Sequence, residues 1–282
     1  DPGGGDVTIL AEPAPAKINL ALHVRARRPD GYHDLETLFA FARDGDRLTA
    51  VPDAGLSLRI VGPFAAALDA GPDNLVLRAA AALRQAAGVT AGAALTLDKR
   101  LPIASGIGGG SADAAAALRL LARLWRVEAD LAGIARSLGA DVPACLLGRP
   151  ARGTGRGDTL QPIASTLAGA PLLLVNPGIP VPTGPVFAAW DGIDRGALAT
   201  GDPLQVARAA RNDLEAPAIR LVPAIGALLG WLRLRPGVTL ARMSGSGATC
   251  FALFADAEAC AAAHRDAARD WPGAWCLETA LA

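Results

Sequence analysis

Residues Leu101-Pro-Ile-Ala-Ser-Gly-Ile-Gly-Gly-Gly-Ser-Ala-Asp-Ala-Ala-Ala-Ala-Leu118 form a glycine-rich stretch that runs straight into an alanine- and leucine-rich segment, a junction suited to holding phosphate. Gly106, Gly108, Gly109 and Gly110 admit backbone angles and close approaches that a Cβ would block. The helix expected to begin at Ser111 offers free N–H groups and the positive end of its dipole to an anion. No GxxxxGK[ST] motif occurs, and Gly106-Ile-Gly-Gly-Gly-Ser111 carries Ser where the dinucleotide fingerprint requires its last Gly. The loop is therefore a third kind of cradle. The bland alternative, a flexible linker, is opposed by the helix cap and first turn that follow directly.

Such a cradle still needs a cation and an acid or base. Of the 27 basic residues only Lys17 and Lys99 are lysine. A drift towards Arg leaves Lys mainly where a compact ammonium differs in function from a guanidinium, as it does on a phosphate, so both lysines are candidates. Lys17 lies in Pro15-Ala-Lys-Ile-Asn19, and Asp141 in Gly139-Ala-Asp-Val-Pro143. In phosphoryl transfer to a hydroxyl, a carboxylate can accept the proton while a lysine neutralises charge on the transferring group. The plain alternative for Asp141 is an Asx bond in a turn. Asp30-Gly-Tyr-His33 holds the sole tyrosine beside one of three histidines, and a stacked ring at Tyr32 with an edge hydrogen bond from His33 is the physics of base recognition. A surface tyrosine beside a solvated histidine is the competing reading. His23 and His264 lack such neighbours and read as ordinary strand and helix residues.

Composition narrows the ligand. The chain has 282 residues, 51% of them hydrophobic, enough to bury a full core in one large or two smaller domains. Its 27 basic and 27 acidic residues balance, with no long run of like charge, so nothing marks it for nucleic acid or an anionic membrane, and a small molecule is the expected partner. Without a long apolar run or a signal-like start, a cytoplasmic location is expected. Cysteines 145, 250, 260 and 276 form no CxxC pair and read as reduced thiols.

The elements that must position these groups read as a mixed α+β arrangement. Short strands are expected at Val7–Leu10, Lys17–Arg25, Leu35–Phe41, Arg47–Val51, Leu56–Val61 and Ala93–Lys99. Helices are expected at Asp73–Gly88, from Ser111 to about Trp125, and at Asp130–Ser137 closed by Gly139. The punctuated run Arg149–Gly157 suggests a bend, dividing the chain into units 1–160 and 161–282. The second unit should hold a strand at Leu172–Val175, the loop Pro177–Pro185, helices at 203–211 and 216–234, and strands at Val238–Met243 and Thr249–Phe254 around the turn Ser244-Gly-Ser-Gly247. A helix at Asp256–Ala268 and a strand near Trp275–Leu277 complete a split β-α-β pattern. The second glycine turn is either a tight hairpin or a further source of donors for a ligand held between the units.

Together these motifs resemble the GHMP kinase superfamily. Pro15-Ala-Lys-Ile-Asn-Leu20, the loop from Leu101 to Ala115 and Met243-Ser-Gly-Ser-Gly-Ala-Thr249 are similar to its three ordered motifs. Arg28-Pro-Asp-Gly-Tyr-His-Asp34, Leu138-Gly-Ala-Asp-Val-Pro143 and Asn176-Pro-Gly-Ile-Pro-Val-Pro-Thr183 are similar to segments of the members acting on cytidine-diphosphate-linked methylerythritol in the non-mevalonate isoprenoid pathway. The resemblance implies a ribosomal S5 domain 2-like N-terminal domain and a ferredoxin-like C-terminal one. It implies Asp141 as general base towards the C2 hydroxyl, Lys17 as its partner and Asn19 on the polyol. Tyr32 and Phe187 would sandwich the cytosine, His33 would bond its edge, and Thr183 would line the substrate side. ATP would lie along Pro102, Ile103, Ala104, Ser105, Gly106, Ile107, Gly108, Gly109, Gly110 and Ser111, with Asn74, Leu75 and Lys99 at the adenine. Mg²⁺ would be bound with help from Ser111, and the protein would be a monomer or homodimer. Ala112, where many members carry a second Ser, and Ala104-Ser105 depart from the usual loop.

Two alternatives remain at this level. Another GHMP kinase, for homoserine, a mevalonate or a sugar, would not need the aromatic residues Tyr32, His33 and Phe187. A silent binding paralogue or an RNA-binding module is opposed by the pair Lys17 and Asp141 and by the zero net charge.

Overall fold

The computed structural model describes residues 9–164 and 166–282, so Val7 and Thr8 of the first expected strand lie outside the described residues. Two long antiparallel strands, β1 (Leu10–Arg27) and β2 (His33–Asp53), form the spine of the first sheet. They are longer than the short runs expected from sequence. Pro13 and Pro15 are tolerated because β1 pairs on one edge alone, against β2, where a missing N–H is harmless. Gly45, which reads as a turn, lies within β2 because a Cβ there would stand 2.1 Å from the Ala14 carbonyl oxygen. The other edge of β2 is shared. Residues 47–53 pair with β4 (Gly92–Asp98), and residues 35–39 with β5 (Ala151–Gly155). β3 (Leu56–Val61) runs parallel to β4 across the crossover helix α1 (Leu75–Ala87), and β6 (Thr159–Pro162) closes the far edge. The glycine-punctuated run read as a bend is thus largely strand. Gly153 is needed because its Cβ would meet the Phe39 ring at 2.7 Å.

Helices α1 and α2 (Gly109–Trp125) cover this sheet, with α3 (Leu131–Leu138) and α4 (Val142–Leu147) packed on them. Ala112 and Ala114 to Ala117 are buried, and these small side chains let α2 lie close against β1 and β2.

The second sheet, of order β10-β7-β9-β8, contains β7 (Pro171–Asn176), β8 (Val238–Met243), β9 (Cys250–Phe254) and β10 (Trp275–Ala280). Helices α5 (Thr183–Ala188), α6 (Pro203–Ala209), α7 (Glu215–Leu221), α8 (Pro223–Arg233) and α9 (Ala257–Asp270) surround it. The single helix expected at 216–234 is two, because Pro223 lacks the N–H that would continue the ladder and restarts the helix at its own first turn.

An apolar layer joins the sheets: Ile18, Leu20, Leu38 and Ala40 of the first pack with Leu172, Leu174, Phe251 and Leu253 of the second. Each large side chain so buried contributes about 1.5–3 kcal/mol relative to exposure. A buried guanidinium adds direction. Arg242 of β8 donates to the carbonyls of Leu20 (2.5 Å), Ala207 (2.7 Å) and Ala210 (2.6 Å), tying β1 to the end of α6. All four cysteines are free thiols, and burial pushes that of Cys145 up to about 12. Among the described residues no helix is long and apolar enough to cross a membrane.

Candidate active site

A cavity of about 820 Å³ opens between the start of α2, strands β1 and β2, the second glycine turn and α5. Lys17 and Asn19 share one face of β1, as alternate strand residues must, with a bulge on each side of the pair. The Lys17 ammonium is nearly buried, donates to Asn19 Oδ1 at 2.8 Å and to Asp141 Oδ2 at 3.0 Å, and lies 5.3 Å from the centre of the Phe39 ring. Asp141 precedes α4 and could have capped it, yet makes no capping bond. Its side chain is 40% exposed and faces the cavity beside Lys17, so the Asx alternative is not the one adopted.

Asn19 is anchored on three sides. Its Nδ2 donates to Thr37 Oγ1 at 2.8 Å, Thr37 donates to the Ala21 carbonyl at 2.7 Å, and the Asn19 amide donates to Ser244 Oγ at 3.1 Å. The carboxamide expected on the polyol holds Lys17 in place and also lines the cavity. Thr37, which the sequence reading did not single out, is the second support.

The glycine loop forms the adjoining wall. Gly106 (φ +78°) and Gly108 (φ +64°) use left-handed backbone. A Cβ on Gly108 would stand 3.1 Å from Lys17 Cε, so the loop passes directly over the lysine stem. The helix begins at Gly109, two residues before the expected Ser111, which puts Gly109, Gly110 and Ser111 in a first turn whose N–H groups lack helical acceptors. Pro102, Ile103, Ala104, Ser105, Gly106, Gly108, Gly109, Gly110 and Ser111 line the cavity. Ile107 does not. Its side chain is buried in the layer between the sheets, and its carbonyl accepts the Lys17 N–H at 2.9 Å, so this one expected loop residue serves the core.

Asn74 caps α1, accepting from the Val76 N–H at 2.9 Å, and with Leu75 it lines a smaller recess beside the cavity. Lys99 also reaches the cavity wall, but its ammonium is spent on Asp46 at 2.5 Å and Asp113 at 2.7 Å, which leaves it poorly placed to border a base. Burial pulls the Lys99 pKa down, and the two carboxylates outweigh it to give a net rise. Burial likewise pushes the Asp113 carboxyl up, to about 7.

At the other end, Tyr32 is 51% exposed and its ring lies 4.9 Å from the Arg156 guanidinium. Arg156 sits in the Gly155 to Gly157 turn, held by Asp158 at 2.7 Å, and was hidden in sequence by that punctuation. His33 packs on Phe187 (ring centres 4.9 Å) and edge-on to Trp190 (5.8 Å). Its Nε2 is buried and has no hydrogen-bond partner among the described residues. Burial, then the charge of Arg27, lowers its pKa, which leaves a neutral imidazole at neutral pH. Thr183 Oγ1 lies 3.0 Å from Ser246 Oγ at the cavity edge. His23 and His264 stand apart, bonded to the Gly196 carbonyl and to Glu278 at 3.1 Å each.

The second glycine turn braces the first. Ser244 Oγ donates to the Gly106 carbonyl at 3.0 Å, and the Thr249 N–H donates to the Ser105 carbonyl at 3.1 Å. Gly245 and Ser246 still reach the cavity. Among the described residues no group of three or more His, Cys, Asp or Glu could hold a metal ion.

Comparison with known proteins agrees with this geometry. Residues 74–149 match the GHMP kinases N-terminal domain and residues 195–271 the GHMP kinases C-terminal domain. A 4-diphosphocytidyl-2-C-methyl-D-erythritol kinase of Rhizorhabdus wittichii is 57% identical over 96% of this chain and 94% of its own. One of Cereibacter sphaeroides is 53% identical over 93% and 95%. The crystal structure of a 4-(cytidine 5'-diphospho)-2C-methyl-D-erythritol kinase superposes with a TM-score of 0.78 at 39% identity, covering 96% of this chain and 99% of that one. A homoserine kinase from Cytophaga hutchinsonii shares the fold, with a TM-score of 0.75 at 17% identity. The chain thus belongs to the GHMP kinases, phosphotransferases that take ATP as donor and an alcohol as acceptor, in the group of the 4-diphosphocytidyl-2-C-methyl-D-erythritol kinases.

Proposed function

We propose that the chain transfers the γ-phosphoryl group of ATP to the 2-hydroxyl of 4-diphosphocytidyl-2-C-methyl-D-erythritol, giving the 2-phosphate and ADP in isoprenoid precursor synthesis. The observation that carries this reading is the Lys17 and Asp141 pair at 3.0 Å, set between a glycine loop at one end of the cavity and the Tyr32, His33 and Phe187 cluster at the other. Asp141 accepts the hydroxyl proton as the oxygen attacks, and its Oδ1, which no bond from the described residues occupies, is the atom available for it. Lys17 holds the other oxygen, orients the carboxylate and neutralises charge on the transferring group. Asn19 and Thr37 fix the ammonium for both tasks.

The first turn of α2 receives the phosphates on its N–H groups. Mg²⁺ takes few protein ligands, and Ser111 on the cavity wall would supply one hydroxyl, with water and phosphate oxygens completing the shell. When bound, the ion neutralises charge on the phosphates. Tyr32 and Phe187 offer flat faces to the cytosine, and His33, on the same wall of the cavity, meets its edge. Thr183 lines the same side.

The test is ADP release on mixing the protein with Mg-ATP and, separately, the cytidine substrate, methylerythritol phosphate, homoserine or mevalonate. Release with the cytidine substrate alone is expected. Release with another acceptor would keep the Lys17 and Asp141 chemistry and discard the base pocket, and silence with all four would favour a binding paralogue.

A further inference from the structure

At the root of the glycine loop three charged side chains are almost wholly buried: Asp46 of β2, Lys99 just after β4 and Asp113 of α2. Lys99 donates to Asp46 Oδ2 at 2.5 Å and to Asp113 Oδ2 at 2.7 Å. The other oxygen of Asp46 accepts the backbone N–H groups of Arg100 at 2.6 Å and Leu101 at 2.8 Å. One carboxylate therefore gathers donors from three consecutive residues, 99 to 101, directly ahead of the loop. Through Lys99 the same carboxylate is fastened to the start of α2.

Such a cluster is a poor source of stability, because removing the charges from water offsets their attraction, and apolar residues would fill the space as well. What it does define is a distance. It spans from the strand end where the loop leaves to the helix turn where the loop arrives. Gly109 rests on it, since a Cβ there would stand 2.9 Å from Lys99 Nζ. A branched guanidinium in place of that ammonium would press on the helix start, which accounts for one of the chain's two lysines being here.

We propose that Asp46 is a positioning residue for the nucleotide: through the Arg100 and Leu101 amides and the Lys99 ammonium, it sets the separation of the two walls between which the ATP phosphates lie. This rests on the reading of the loop as the ATP site. It assigns Asp46 no contact with ligand and no part in proton transfer.

Asp46→Asn keeps the volume and removes the charge. Calorimetric ATP affinity, measured without the alcohol, is expected to weaken about tenfold or more, since small displacements at a pre-organised site have large effects. The KM for the cytidine substrate should stay within about twofold. A merely structural Asp46 would lower the melting temperature and the active fraction but leave ATP affinity of the folded protein unchanged, and that result would overturn the proposal. Lys99→Arg is the second variant and should show the same selective loss; normal ATP affinity in folded Lys99→Arg would equally overturn it. Because the readout omits the alcohol, a wild-type protein that binds ATP and ignores the cytidine substrate would end the substrate reading alone.

Discussion

Lys17 and Asp141, 124 positions apart in the chain, meet at 3.0 Å with the glycine loop lying across the lysine stem. Carboxylate, ammonium and glycine loop are therefore packed against one another. The ion pair is half open to the cavity, so its value is in orientation and charge placement more than in folding stability.

Asp141→Asn is expected to lower kcat by about 10²- to 10⁴-fold, the usual contribution of a positioned general base. ATP affinity should hardly change, because the loop and α2 are untouched. Steady-state kinetics beside calorimetric ATP binding check this, and equal turnover would remove Asp141 from the base role.

Tyr32→Ala should raise the KM for the cytidine substrate by an amount corresponding to about 1–3 kcal/mol, the range for loss of a base-stacking ring. KM for ATP and kcat should stay close to wild type, since the ring is remote from the loop. A KM for the cytidine substrate that does not move would sink the stacking assignment.

His23 and His33 should withdraw folding stability as pH drops below neutral, against Asp113, whose carboxyl, raised to about 7, adds stability over the same range. Burial lowers the pKa of both His23 and His33 from the ordinary 6.5, assisted by Arg211 and Arg27 respectively. Between the lowered values and 6.5 the unfolded chain binds more protons than the folded one, so stability is whole above that pH and is lost as pH falls through the window. Thermal melts of the wild type beside His23→Gln isolate the histidine part: the wild type should lose stability relative to the variant as pH falls through this window, and a difference that does not change with pH would contradict the assignment.

Two glycines make an opposed pair. At Gly106 a Cβ would stand 2.3 Å from the Ser244 carbonyl oxygen in left-handed backbone, so Gly106→Ala should destabilise by more than about 2 kcal/mol. Gly230, exposed within α8 with nothing near its Cβ position, should accept Ala with a gain of about 0.5–1 kcal/mol. Denaturant midpoints of the two variants measure both.

Much of this was legible in the chain because local signals agreed with the final structure. Asn74 and Gly88 bound α1 as cap and left-handed stop, and Gly139 and Pro143 mark the corner that carries Asp141. The long strands were not, because Pro15 and Gly45 read as breaks until β1 and β2 are seen to lie against each other there. The split of α7 from α8 was visible at Pro223 but masked by continuous apolar residues on both sides. In the site, the motif residues were found and their supports were missed. Asp46, Thr37 and Arg156 act through partners 53, 18 and 124 positions away, and no local pattern marks such pairings. Lys99 stands out by its rarity, but its partners Asp46 and Asp113 are visible only in the fold.

The bond from Ser244 to the Gly106 carbonyl crosses 138 positions, and Gly245 sits so close that a Cβ on it would come within 2.8 Å of the same carbonyl oxygen. The glycine-loop end of the cavity is thus finished by a hairpin more than 130 positions further along the chain. A fragment ending after β6 would own every residue of the phosphate loop and still lack its keystone. The loop is consequently not a transplantable cassette, and its shape is inherited only together with the segment from Met243 to Thr249.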